Sequence, residues 1–197
     1  MSDILLIISI ALTILCYFLV LITSLTSKKG SETAAEAVIR LTKKDNGLRL
    51  VESKDNILSK YQLKRKIIKL KEKTYSSKSY FSLSIAYLLS GYSKLKEDSL
   101  EYLSKVIPYF YYLSFTPIIS LIIALVIKTS MDAKIGIIFF VTILVYQNIL
   151  FDLNTKAIAL VKDDNDEINK HLTNIIFASK IFILSTMLQI IRMITLL

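Results

Sequence analysis

The stretch ILLIISIALTILCYFLVLITSLT, from Ile4 to Thr26, decides the fold, because 23 residues pass without one charged side chain. A helix rising 1.5 Å per residue needs about 20 such residues to cross the hydrocarbon core of a bilayer, so 4–26 is predicted to be a transmembrane helix. A cleaved signal peptide is the competing expectation for an N-terminal apolar run. This run lacks a basic leader, having only Asp3, and is longer than the roughly 7 to 15 apolar residues usual in a signal peptide, so it reads as a retained anchor.

Working outward, three more stretches repeat the pattern. Residues 106–127 carry no charge over 22 positions, and 135–151 carry none over 17. Residues 173–197 contain only Lys180 and Arg192, each near one end and able to reach an interface by its apolar stem. With 53% hydrophobic residues, 4 Gly, 2 Pro and a mean hydropathy of +0.53, the composition is that of a chain in lipid. The expected fold is mainly α: a polytopic membrane protein of about four transmembrane helices, forming one membrane domain over 1–197.

The net charge of +9 lies between the first two spans. Residues 28–105 hold 18 Lys or Arg against 9 Asp or Glu, which equals the whole excess. The positive-inside rule then places this region in the cytoplasm, with Lys28, Lys29, Lys43 and Lys44 at the membrane surface and both termini outside. Thr33-Ala-Ala-Glu36 is a capping-box pattern and predicts a helix running to about Lys43. Leu48-Arg-Leu-Val51 and Lys66-Ile-Ile-Lys-Leu-Lys71 are β-prone runs that predict a small two-stranded sheet or hairpin. Tyr80 to Ser93 is apolar over 14 residues, too short to span, and reads as a buried or half-embedded helix. Tyr109, Tyr111 and Tyr112 form an aromatic belt where the second span enters the membrane.

The sequence excludes several chemistries. A catalytic zinc needs three protein ligands, commonly two of them His one helical turn apart, and the chain has one histidine, His171, which reads as an interfacial or solvated side chain. No G-x-S-x-G elbow supports a serine triad. The single cysteine, Cys16, lies inside the first span and reads as a small lipid-facing or packing side chain. The acidic run Asp163 to Glu167 lacks the Gly and Glu that an EF-hand loop would place at Ile168 and Asn174, so a solvated loop is expected. The basic run Lys60 to Lys78, beside a cytoplasmic leaflet, points to anionic lipid or solvent rather than nucleic acid. A channel or transporter is disfavoured, since intramembrane charge is confined to Lys180 and Arg192.

The order of elements resembles the YugP-like neutral zinc metallopeptidases of bacterial membranes. The resemblance rests on an N-terminal anchor, the helix around TAAEAVIRL (Thr33 to Leu41), Tyr61 and the segment Ile68 to Tyr75, the helix SLSIAYLLSGYS, and the apolar spans that follow. It implies that the family's zinc helix falls on Ser84 to Leu95. Its two zinc histidines then fall on Leu88 and Tyr92, its general-base glutamate on Leu89, and its third-ligand glutamate on Leu150, within Asn148 to Ile158. None of these residues binds zinc well, so the resemblance implies a degenerate, inactive member acting as a scaffold, adaptor or binding subunit. The alternative is an accessory subunit of a larger membrane complex without peptidase ancestry. Either way, no cofactor and no metal are expected. The expected partners are the lipid bilayer and other membrane chains, not nucleic acid.

Overall fold

The computed structural model describes residues 2–43, 47–54, 59–62, 65–95, 116–127, 129–161 and 165–197. It is mainly helical, with one small sheet. In chain order the elements are α1 (Ser2–Thr26), α2 (Ala34–Thr42), β1 (Arg49–Ser53), β2 (Lys60–Gln62), β3 (Ile67–Lys71), α3 (Glu72–Tyr75), α4 (Tyr80–Ser93), α5 (Thr116–Val126), α6 (Ser130–Ala159) and α7 (Asp166–Ile194). Three of them, α1, α6 from Met131 and α7, are long and apolar enough to cross a membrane, as a multi-pass membrane protein requires. Of the predicted span 106–127, only 116–127 lies within the described residues, as α5.

Two spans are longer than their apolar runs. The helix expected over 135–151 begins at Ser130 and ends at Ala159; that expected over 173–197 begins at Asp166. Both helices continue through polar turns, because backbone hydrogen bonding does not stop where hydropathy does. Ends of this kind are stabilised locally: the Thr129 hydroxyl accepts from the Asp132 amide at 3.2 Å, and the Asn165 side chain accepts from the Glu167 amide at 3.0 Å.

The chain divides into two compact units. One comprises Met1–Ile22, Tyr112–Asp152 and Ile176–Leu197; the other comprises Thr23–Tyr111 and Leu153–Ile175. In the first unit Phe140, Met193, Ala124, Ala133 and Ile127 form an apolar core. Gly136 lets helices pass closely there, since a Cβ would meet the Met193 sulfur at 3.1 Å. A polar seam ties α1 to α7: the Ser9 and Ser185 hydroxyls lie 2.8 Å apart, and those of Thr13 and Ser185 lie 2.9 Å apart. Such bonds between helices persist in lipid because no water competes for them. Arg192 lies near a helix end, where an interface was expected. It is buried, and its guanidinium donates to the carbonyls of Ala124 at 2.6 Å and Ile127 at 3.1 Å, the open C-terminal end of α5.

In the second unit the capping box is present as predicted. Thr33 Oγ1 accepts from the Glu36 amide at 3.2 Å, while Glu36 Oε2 accepts from the Thr33 amide at 2.7 Å and its hydroxyl at 2.9 Å. These bonds to the charged carboxylate hold its pKa below the ordinary range. The helix so started buries Ala34, Ala37 and Val38 against Leu83, Ala86 and Tyr87 of α4. The two β-prone runs do pair, but in parallel, so they are not a hairpin. The sheet has three strands in the order β1-β3-β2, and the antiparallel partner of β3 is Lys60–Gln62. β3 lies between the other two, with β1 parallel on one side and β2 antiparallel on the other. Ile68 and Leu70 of β3 point into the same core as α4.

Candidate functional site

Helix α4 is the element on which the expected resemblance falls, and its ends coincide with the apolar run 80–93. Ser79 caps it, its hydroxyl accepting from the Ser82 amide at 3.1 Å. Upstream, the chain from Lys28 to Ala34 lies alongside 77–80: Tyr80 donates to the Lys28 carbonyl at 2.9 Å, and Gly30 donates to that of Lys78 at 2.7 Å. The helix is thus held at its start by backbone bonds and along its length by its apolar face.

Each predicted position can now be placed. Leu89 is buried in the core of the second unit, and Leu88 packs partly buried against the same core. Tyr92 also lines that core, and its hydroxyl donates to Oδ1 of Asn154 on α6. Burial raises the Tyr92 pKa, so the phenol stays neutral and is no anionic ligand near neutral pH. One residue before it, Gly91 lies against the Ala157 backbone so closely that a Cβ would come within 2.7 Å of the carbonyl carbon. Leu150 is partly buried on α6 in the first unit. Asn154 follows it by one helical turn.

This arrangement can pack and can hold one neutral hydrogen bond. Two leucines offer no lone pairs, and the tyrosine and asparagine satisfy each other. Among the described residues, no three His, Cys, Asp or Glu side chains come together as a metal site. His171 is buried rather than solvated: its Nε2 lies 3.4 Å from the Ser27 hydroxyl, its ring meets Phe81 edge-on at 6.2 Å, and its Nδ1 has no partner among the described residues. Its Ser27 neighbour is engaged by the Phe81 amide at 2.8 Å, which ties the hydroxyl to a structural role.

The surface positions differ in environment. Lys28 pairs with Glu167 at 3.5 Å with its side chain largely exposed, a geometry of small energetic weight. Lys29 forms an isolated β-bridge with Ser79, and Lys43 is the exposed C-cap of α2. Lys44, Tyr109, Tyr111 and Tyr112 lie outside the described residues.

Two features went unread in the sequence. Asn154 as the partner of Tyr92 is one; it is buried on α6, as is Gln147 seven residues before it, and nothing in the sequence pairs it with Tyr92. The other is Arg40, which donates to Glu32 at 2.6 Å and to the Tyr87 hydroxyl, and whose pKa is raised first by the Glu32 bond. Comparison of the chain with protein-family models, with curated proteins and with solved structures finds no match.

Proposed function

We propose that this chain is a non-catalytic scaffold or binding subunit of a membrane, built on a degenerate frame of the YugP-like metallopeptidase kind, with four transmembrane helices and the region 28–105 on the cytoplasmic side. The observation that supports it most is the packing of α4. Where the resemblance puts a general base and two ligands, Leu89 and Leu88 pack on an apolar core and Tyr92 binds Asn154. A carboxylate or imidazole pair buried at these places without metal would be costly, and replacing such groups by Leu removes that cost while the helix stays packed.

Two measurements test the reading. The purified chain is expected to carry no stoichiometric zinc and to leave peptides and casein intact; zinc near one per chain with chelator-sensitive hydrolysis would overturn it. The peptidase ancestry is tested by combining L88H, L89E, Y92H and L150E. Zinc uptake by the quadruple variant, kept when L89E alone is left out and weak when any one of L88H, Y92H or L150E is left out, is the expected result. A folded quadruple variant that ignores zinc removes the ancestry and leaves an accessory subunit, to be identified by what co-purifies in mild detergent.

A further inference from the structure

The sheet of the second unit sorts its charges by face. Residues in register on neighbouring strands share a face, and side chains alternate along each strand. Leu50, Ile68 and Tyr61 are in register across the three strands and pack on the core, and Leu70 follows Ile68 on that side. The opposite face therefore carries Val51, Lys69 and Lys60 in one row, and Arg49, Ile67 and Gln62 in the next, with Lys71 beside Ser53. The one carboxylate in the strands, Glu52, is in register with Leu70 and so belongs to the other side.

The outer face thus presents four cations and no acid from its strands. Lys60 stands directly opposite Lys69, so two ammonium-bearing side chains share one row of this face. Val51, 39% exposed, and Ile67 lie among these cations. We propose that this face, formed by Arg49, Lys60, Lys69 and Lys71 around Val51 and Ile67, docks on the anionic headgroups of the bilayer in which the chain is anchored. The inference rests on the membrane reading above, which places 28–105 beside the more anionic leaflet.

Three observations favour lipid over nucleic acid. The same unit contains the last turn of α1 from Thr23, so the chain itself keeps the face near a bilayer at high effective concentration. The sheet's one aromatic residue, Tyr61, is on the core side, so the basic face has no ring on which a base could stack. Apolar Val51 and Ile67 suit the interfacial zone and offer nothing to a phosphodiester backbone. Each cation near an anionic surface adds to the attraction, which salt screens.

The test uses the full chain in nanodiscs of phosphatidylcholine alone or with one third phosphatidylglycerol. A cysteine introduced by Val51→Cys reports on the face through its labelling rate with a water-soluble maleimide; Ile39→Cys on α2, whose parent side chain is 51% exposed, is the control, and Cys16 is buried. Labelling at 51 is expected to slow by about ten-fold or more in the anionic discs, with position 39 unchanged. Protection should vanish in molar salt and in the K60Q/K69Q background, and persist with K60R/K69R, which shows that charge and not folding is being read. Equal rates at 51 in both discs overturn the proposal. So does protection by an RNA oligonucleotide in neutral discs without protection by anionic lipid. Reconstituted discs expose both sides, so failure here is separate from failure of the cellular topology.

Discussion

At the scale of single residues, the contact between α4 and the end of α6 depends on a glycine and a phenol. Gly91 has no room for a side chain because the opposing atoms are backbone, which cannot rotate away. Gly91→Ala is therefore expected to destabilise the fold by about 1–3 kcal/mol, the usual range for overpacking, read as a lower melting midpoint in detergent. Tyr92→Phe leaves the Asn154 amide buried with its Oδ1 bond lost, and is expected to cost about 1–3 kcal/mol. The double change Tyr92→Phe with Asn154→Leu should recover part of that loss, because no orphaned polar group remains. If Tyr92→Phe melts with the parent, the hydroxyl contributes nothing to stability and the neutral pairing at this site is wrong.

At the scale of elements, α2 is started by a reciprocal cap and packed by small residues. The sign of its pH response follows from Glu36, whose pKa is lower when folded than unfolded. The contribution is complete above the unfolded carboxyl value, 4.5 for this group, and is lost as pH falls through the folded value. Protection of the α2 amides, taken relative to their intrinsic exchange rates, should fall on acidification below that range while that of the core amides of α4 holds. Thr33→Ala should speed exchange in α2 already at neutral pH, at a cost of about 1 kcal/mol. The cap was legible because a capping box is a four-residue code whose partners are local. The parallel pairing of β1 with β3 was not, since β propensity marks strands but carries no direction. Nor was the strand Lys60–Gln62 legible, since three residues are too few to give a period.

At the scale of the whole molecule, the charge of the region 28–105 sets the expected orientation. Ile39→Cys in a Cys16→Ser background should resist an impermeant thiol reagent in intact cells and react once the membrane is opened. Labelling in intact cells would reverse the topology and put the termini in the cytoplasm.

Hydropathy by itself determined that the chain has helices long and apolar enough to cross a membrane and about where they centre, because lipid demands long uncharged runs wherever a helix crosses. It also determined that two-histidine zinc chemistry is impossible, since the chain has one histidine. Only the tertiary structure decided that α6 and α7 run on past their apolar runs, since helical hydrogen bonds are indifferent to the side chains that hydropathy measures. The same holds for Arg192 on the carbonyls of α5, Tyr92 on Asn154, and the gathering of four cations on one sheet face. Each joins residues far apart in the chain, and such partners become neighbours only when strands register and helices cross.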